Sequence, residues 1–326
     1  MKKNTSERII EYINLKKRVT AKNLVDYFEI SRQAIFKHHL SKLLKSEVIS
    51  KIGRPPKVFY SLTKKTADKK EYLISNTVKN LIEKQFIEIT PAGEIEKGWN
   101  AFINWCLKRE LDVPQSAKSY VNIIRKYDAV RKNGLLDGMR KMKNTFPKVY
   151  LDHLFYLDFY SIERFGKTKL GKTLLYAKQS QNKMMIRALA KEIKPSIKNL
   201  IKKYKIDAIG FVPPTVKREV QLMKELENNL DFKIGKIDIT KIKTPITVPQ
   251  KTLSKLEDRV ENAKMTFIVG EKVFCKNIIL IDDAVGSGAT LNEIAAQIKE
   301  RKIAKGKIVG LAITGSIKGF DVISEI

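Results

Sequence analysis

The sequence predicts a mixed α/β protein: a mainly parallel sheet near the C-terminus, a helical middle region and a small N-terminal domain. Three observations predict this organisation. In residues 207–314, apolar runs typical of buried strands alternate with amphipathic helical segments. Residues 68–165 show a helical spacing of apolar residues, interrupted at prolines. Residues 6–62 instead have the pattern of three short helices and two short strands. We therefore expect three domains, 1–66, 67–168 and 169–326.

Charge is the most unusual compositional feature of the 326 residues. There are 64 Lys and Arg against 35 Asp and Glu, a formal net charge of +29, which favours an anionic partner. No apolar run approaches the ~20 residues of a spanning helix, and residues 1–8 lack the apolar segment of a signal peptide. We expect a cytoplasmic protein without membrane contact. With only Cys106 and Cys275 present, neither a disulfide framework nor zinc is expected.

The N-terminal helices are each preceded by a residue suited to capping. Ser6, Thr20 and Ser31 stand at the starts of three amphipathic patterns. Two short β-like runs follow, around 48–50 and 58–62. Residues 1–65 contain 16 Lys or Arg and 5 Asp or Glu, a net charge of +11, so the positive charge is concentrated in this part of the chain.

Helix, helix, turn, helix and hairpin in this order resembles the winged helix-turn-helix of bacterial transcription regulators, and residues 31–35 are similar to the start of their recognition helix. The resemblance implies binding to double-stranded DNA, with the third helix in the major groove and the hairpin tip on the backbone or minor groove. A homodimer is expected because half-site recognition usually uses two-fold symmetry. A module for protein contacts is the alternative. The expected DNA-binding residues are Ser31, Arg32, Gln33, Lys37, His38, Arg54 and Lys57.

The middle region contains one pattern that competes for function. Residues 166–173 satisfy Gly-x4-Gly-Lys-Thr, the phosphate-loop pattern of P-loop NTPases, and residues 278–283 would then be a Walker B strand. However, Glu163 and Arg164 stand where an apolar strand should enter the loop. A basic connector is the preferred interpretation, and a P-loop NTPase stays a minor alternative.

The C-terminal stretch has the strand and helix alternation of a parallel sheet. Strands are predicted at 207–212, 234–242, 265–269, 278–282 and 307–314, with helices at 184–200 and 216–230. Ligands of such sheets bind at the carboxyl ends of the strands. Pro213 and Asp282 both fall at such an end.

The most informative stretch is 278–291. Four apolar residues end in Asp282 and Asp283, and a loop of small residues then leads into a helical pattern. The loop can direct backbone N–H groups and a positive helix end at a phosphate. The carboxylates can accept hydrogen bonds from sugar hydroxyls or bind a divalent cation. A dinucleotide fingerprint fits poorly because Leu291 occupies the sixth position. A buried strand that merely ends in two acids is the other alternative.

This stretch resembles the phosphoribosyl-diphosphate (PRPP) loop of type I phosphoribosyltransferases, with Gly286 where a threonine is common. The resemblance implies that the side chains of Ser287 and Thr290, with backbone amides, hold the 5′-phosphate. It assigns Asp282 and Asp283 to the ribose hydroxyls and to Mg²⁺, which is expected with PRPP. The expected loop residues are Ala284, Val285, Gly286, Ser287, Gly288, Ala289 and Thr290.

A second stretch narrows the resemblance. Gln250, Leu253, Arg259, Asn262 and Phe267 have the spacing of the ComF branch of this family, and residues 207–214 are similar to its presumed pyrophosphate loop. The resemblance implies a catalytic role for Arg259 beside Asp282 and Asp283. The residues expected at pyrophosphate are Pro213, Pro214, Lys217 and Arg218. ComF proteins usually begin with a zinc ribbon, whereas this chain has the winged-helix pattern there.

Two hypotheses from different classes follow. In the first, the protein is a DNA-binding transcription regulator whose phosphoribosyltransferase-like domain binds PRPP or a nucleotide-like ligand. In the second, it is an active, Mg²⁺-dependent transferase in nucleotide metabolism, moving the phosphoribosyl group to a nitrogenous acceptor, with an accessory DNA-binding domain. Release of pyrophosphate from PRPP would favour the second.

Overall fold

The computed structural model describes residues 4–63, 72–242, 244–246, 248–270 and 275–316. The chain forms two compact units. One is Met1–Leu73 with Thr90–Glu94, and the other is Ile74–Ile89 with Ile95–Ile326. The predicted boundary at 66/67 lies outside the described residues. The predicted boundary at 168/169 falls within the second unit.

The first unit consists of three helical segments and a hairpin. The helices are α1 (Thr5–Lys16), α2 (Ala21–Phe28) and α3, which is built from Arg32–Ala34, a π-helical Ile35–Leu40 and Ser41–Lys45. Strands β1 (Ile49–Arg54) and β2 (Lys57–Leu62) pair antiparallel. Asn4, rather than the predicted Ser6, caps α1, because its side chain accepts the Glu7 N–H at 2.9 Å. Thr20 and Ser31 cap α2 and α3 as predicted.

Apolar side chains from all of these segments form one core, which includes Ile9, Leu24, Leu40 and Tyr60. The backbone N–H of Val19 and the carbonyl of Tyr60 bond at 3.0 Å, which ties the turn before α2 to the hairpin. The arrangement leaves one face of α3 in solvent.

The second unit contains the sheet and its helices. The helices are α4 (Asn76–Gln85), α5 (Gly98–Leu107), α6 (Val113–Asp128), α7 (Met139–Thr145), α8 (Lys169–Ser180), α9 (Lys183–Tyr204), α10 (Leu222–Leu230), α11 (Leu256–Thr266) and α12 (Ala289–Glu300), with a 3-10 turn at Gln250–Thr252. The strands are β3 (Ile87–Ile89), β4 (Ile95–Lys97), β5 (Arg131–Lys132), β6 (Leu135–Asp137), β7 (His153–Phe159), β8 (Ser161–Ile162), β9 (Gly166–Lys167), β10 (Ala208–Phe211), β11 (Gly235–Ile237), β12 (Ile239–Lys241), β13 (Phe267–Val269), β14 (Ile278–Val285) and β15 (Ile308–Gly315).

Seven strands form one mostly parallel sheet in the order β11-β10-β14-β15-β7-β6-β5. The five strands from β11 to β7 run parallel, and β6 and β5 turn back antiparallel. Side chains of β14 alternate between two cores: Ile278 and Leu280 join α12 on one face, and Ile279 and Ile281 join α8, α9 and α10 on the other. The sheet is therefore covered on both faces, as expected for parallel strands.

The middle region is not purely helical, which corrects the prediction for 67–168. Leu154, Tyr156 and Phe159 in β7 are buried against the sheet, and β7 pairs with β15 over the register Val309–His153 to Gly315–Phe159. The aromatic-rich stretch around 149–159 therefore forms a strand of the large sheet. Most of its residues are apolar, so helical and strand spacing could not be distinguished from the pattern.

Two smaller features complete the second unit. The antiparallel pair β12–β13 lies beside the sheet and joins β11 to α11. Within the described residues, no helix has the length and apolar composition needed to cross a membrane.

Candidate functional site

A cavity of about 390 Å³ lies at the carboxyl ends of β10 and β14. These strands are neighbours, with Phe211 opposite Ile281, so the residues that follow them meet at one edge of the sheet. The loop after β10 is tied to β14 by the Val212 N–H, which donates to the Ile281 carbonyl at 2.8 Å.

Most of the predicted site residues line this cavity. They are Pro213, Pro214, Arg218, Arg259, Asp282, Asp283, Ala284, Val285, Gly286, Ser287, Gly288, Ala289 and Thr290. Stretches far apart in sequence thus meet where the predicted ligand would bind. Lys217 lines an adjoining recess of about 370 Å³ instead. The two spaces share Pro213, Pro214, Thr215 and Met223.

The loop after β14 turns sharply into α12. Gly288 has φ +90°, in the left-handed region, where glycine carries no steric penalty. A Cβ there would lie 2.3 Å from Sδ of the fully buried Met142. Ser287 is buried, and its Oγ accepts the Ala289 N–H at 3.3 Å. Gly288 offers no capping side chain, so the N–H groups that follow Ala289 in the first turn of α12 can receive an anion.

The two carboxylates of the acidic pair, Asp282 and Asp283, interact with each other and with a nearby lysine. Oδ1 of Asp282 accepts the Asp283 N–H at 2.8 Å, and Oδ2 of Asp283 lies 2.5 Å from Nζ of Lys178 on α8. Burial, reinforced by the charge of Asp283, raises the pKa of Asp282. The charge of Asp283 raises the pKa of Lys178 against the opposing effect of burial. The pair is therefore partly neutralised from within the protein.

The predicted Gln, Arg and Asn residues meet in space. Nε2 of Gln250 donates to the Arg259 carbonyl at 3.0 Å and to Oδ1 of Asn262 at 3.1 Å. Nε of Arg259 donates to the Leu253 carbonyl at 2.7 Å, and the residue is 8% exposed. Burial, followed by the charge of Arg259, lowers the pKa of Lys141 to about 8. This network holds Gln250 and Arg259, which both line the cavity, next to Asn262 of the adjoining recess.

The resemblance implied a Mg²⁺ ion that arrives with PRPP and is held through the ligand, with Asp282 and Asp283 as its protein contacts. As the side chains lie, the Lys178 ammonium already contacts Asp283, and a divalent cation at that carboxylate would meet a like charge. In the parts of the chain that the structure describes, no group of three or more His, Cys, Asp or Glu is arranged to hold a metal ion. As the side chains lie, the protein alone offers no site for a divalent cation at Oδ2 of Asp283, because Lys178 occupies it.

Lys178 is the functional candidate that sequence reasoning missed. It precedes Asp283 by 105 residues and lies on α8, beyond the end of the Gly-x4-Gly-Lys-Thr pattern. Gln250 and Phe267 were part of the resemblance but were not predicted to line the site. Only the fold identifies Lys178, because nothing in the sequence separates it from the other lysines.

The P-loop pattern at 166–173 adopts another structure. Gly166 and Lys167 form β9, paired antiparallel with β8, and Thr168 caps α8 through the Gly171 N–H at 3.0 Å. Nζ of Lys172 donates to the Ile87 carbonyl at 2.8 Å and pairs with Glu88. The pattern thus begins a helix whose lysine is held by protein groups, away from the cavity.

Six of the seven predicted DNA-binding residues lie at the surface of the first unit. Ser31, Arg32, Gln33, Lys37, His38 and Lys57 are exposed, and the backbone of Arg54 ends β1. In α3, Oγ of Ser41 donates to the Phe36 carbonyl at 2.7 Å, at the C-terminal end of the π-helical turn. His39 faces inward and its Nδ1 bonds to Ser6 Oγ at 2.9 Å.

The fold and the cavity define a mixed α/β protein with a ligand-sized cavity at the carboxyl ends of a mostly parallel sheet. Comparison with known proteins adds no narrower class. The chain matches no protein-family model, and no curated protein matches it.

Proposed function

We propose that this protein is a DNA-binding regulator whose C-terminal domain, of the type I phosphoribosyltransferase kind, binds PRPP or a related phosphoribosyl ligand. The observation that carries the proposal is the junction of β14 and α12: two carboxylates, a tight loop of small residues and a helix N-terminus all face one cavity. Such a junction suits a phosphorylated sugar, because the carboxylates accept from hydroxyls while amides and the helix end bind phosphate.

The charges around the cavity support the same ligand class. Arg218 and Arg259 line it together with the loop, and guanidinium groups bind phosphate oxygens through two parallel hydrogen bonds. The cavity volume falls in the range of about 300–1,000 Å³ common for small-molecule sites. A phosphoribosyl group with its diphosphate is consistent with that size and polarity.

The first unit supports the DNA-binding half of the proposal. Three helices and a hairpin around one core are the arrangement of a winged helix, and the third helix exposes Arg32, Gln33 and Lys37. A helix of this kind can enter the major groove with its N-terminal residues at base edges. Double-stranded DNA and a homodimer are therefore part of the proposal.

Ligand binding is tested by the thermal unfolding of the full chain with PRPP, nucleoside monophosphates or ATP. We expect PRPP to raise Tm, since a ligand that binds only the folded state stabilises it by mass action. Asp283→Asn should remove most of the shift. Stabilisation by ATP alone, or by none of these compounds, would contradict the proposal.

Regulation is tested by measuring duplex DNA affinity with and without PRPP. A ligand can control DNA binding only if the two DNA-binding states differ in affinity for it. We expect the DNA affinity to change with PRPP in the wild type and to stay constant in Asp283→Asn. An unchanged affinity in the wild type would rule out regulation by this ligand.

The recess beside the cavity favours a second candidate, an active transferase. Pro213, Pro214, Thr215 and Met223 border both spaces, so an acceptor molecule could lie next to the phosphoribosyl group. In that reaction the bond from ribose C1 to pyrophosphate breaks and a bond from C1 to the acceptor nitrogen forms. Pyrophosphate release in the presence of a panel of bases would support this activity.

A further inference from the structure

Lys178 is positioned as a built-in cation of the acidic pair. Its Nζ lies 2.5 Å from Oδ2 of Asp283, and the two side chains are 29% and 15% exposed. Both residues line the cavity. An ion pair this close and this sheltered from solvent is a fixed part of the site, because removing one partner leaves the other charge buried and unpaired.

The groups around this pair make the local charge distinctive. Asp282 lies beside it, and Oδ1 of Asp282 accepts the Asp283 N–H at 2.8 Å. Arg218 is near enough to oppose the charge of Lys178. With Arg259 on the cavity lining, three protein cations and two carboxylates border the same cavity.

The contact between Lys178 and Asp283 affects whether ligand binding requires Mg²⁺. Mg²⁺ is usually held through one or two carboxylates plus the phosphates of a ligand. Here Oδ2 of Asp283 is engaged by an ammonium, so a divalent cation at that oxygen would have to displace Lys178. An anionic ligand in the cavity, by contrast, meets the positive charges of Lys178, Arg218 and Arg259.

We propose that Lys178 takes the place of a divalent cation at the acidic pair, so that the phosphoribosyl ligand binds in this cavity without Mg²⁺. The inference rests on the proposed function. Lys178 holds Asp283 in position to accept from the ribose hydroxyls, while Arg218, Arg259 and the N-terminus of α12 bind the phosphates. Lys178 is thus a positioning residue that also reduces the net negative charge at the sugar.

The decisive experiment is calorimetric titration of the full chain with PRPP in EDTA and in excess Mg²⁺. We expect the two Kd values to agree within about threefold, under 1 kcal/mol. A Kd at least about tenfold weaker in EDTA, or binding only with Mg²⁺, would overturn this inference and leave the proposed function standing. Binding in neither buffer would overturn the proposed function and this inference with it.

Variants separate the role of the ammonium from general stability. Lys178→Met should weaken binding in EDTA at least about tenfold, with partial recovery in Mg²⁺ because the acidic pair is then open to a metal. Lys178→Arg, which keeps the charge, should retain more affinity. The control is Lys183→Met on α9. Nζ of Lys183 lies 3.4 Å from Oε1 of Glu225, and neither residue lines the cavity.

The control variant should bind as the wild type does in both buffers. Equal loss of affinity in Lys178→Met and Lys183→Met would contradict a specific role for Lys178. So would a Lys178→Met variant that binds normally in EDTA. If Lys178→Met does not fold, as judged by circular dichroism, the wild-type comparison in the two buffers still decides the question.

Discussion

Asp282 is a carboxylic acid whose pKa is raised by burial and by the charge of Asp283. Between the ordinary pKa of the unfolded chain, ~3.9, and this raised value, the folded state binds more protons than the unfolded one. Ionisation of Asp282 therefore destabilises the folded protein. Stability is unaffected by this group below the window and is lost as the pH rises through it.

Asp282→Asn should consequently raise the Tm of the ligand-free protein at pH 8, by about 2–4 °C for each kcal/mol gained. The difference from the wild type should shrink as the pH approaches 4. Unfolding followed by circular dichroism over pH 4–9 measures this. A variant that is less stable at pH 8, or a difference that does not change with pH, would contradict the assigned protonation.

Gly288 is predicted to be irreplaceable at the start of α12. Gly288→Ala incurs about 1–2 kcal/mol from the left-handed backbone and about 1–3 kcal/mol from crowding Met142. We expect a lower Tm and loss of PRPP binding. Gly134→Ala is the matched control, because its φ is +77° but no atom lies within 4 Å of the added Cβ. Equal destabilisation of both variants would show that contact with Met142 does not matter.

At the residue scale, the residues of the site at the C-terminal end of β14 and directly after it could be predicted from the sequence. Asp282, Asp283 and the loop 284–290 follow directly from an apolar run ending in acids and small residues, and all of them line the cavity. Lys178 could not be found this way, because its role depends on α8 packing next to β14. Lys217 was predicted for the same site but lines the adjoining recess, because residues 213–218 border both the cavity and the recess.

Among the elements, α3 supports the sharpest prediction. Arg32→Ala and Lys37→Ala should each weaken duplex DNA binding and reduce the slope of log affinity against log salt by about 1. Fluorescence anisotropy with a labelled duplex over a salt series measures both. Lys233→Ala is the control, because this residue is 85% exposed, pairs with Asp231 and belongs to the second unit.

The salt dependence of these variants can also contradict the DNA-binding proposal. If the two α3 variants kept the wild-type slope, or if the control changed as much as they did, the face of α3 would not contact the phosphate backbone. The charge of the first unit would then require another partner, such as an acidic protein surface.

Element types were predictable where the periodicity was clear. The helices of the first unit and strands β10, β14 and β15 correspond to predicted segments. The strand β7 was not predicted, because its pattern is decided by pairing with β15, which lies about 150 residues later in the chain. Contacts that distant leave no local signal.

At the scale of the whole molecule, the sheet makes residues 131–316 interdependent. A chain beginning at residue 169 would lack β7 and with it the buried Leu154, Tyr156 and Phe159, each contributing about 1.5–3 kcal/mol on burial. We expect such a chain to aggregate. A chain beginning at residue 74 should give a cooperative urea transition, since it retains the entire second unit.

Gel filtration and urea unfolding of the two truncated chains test this. A soluble, cooperatively unfolding chain from residue 169 would mean that β7 is dispensable. The comparison also decides between the three domains expected from the sequence and the two units of the fold.

The central position of β15 also constrains how the polypeptide can acquire its structure during translation. Its neighbours β14 and β7 both emerge from the ribosome earlier, and each exposes an apolar, unsatisfied edge until residue 315 has been made. Open edges of this kind recruit foreign strands. Nascent chains stalled before residue 308 should therefore depend on chaperones, whereas those extended beyond residue 316 and clear of the exit tunnel should not.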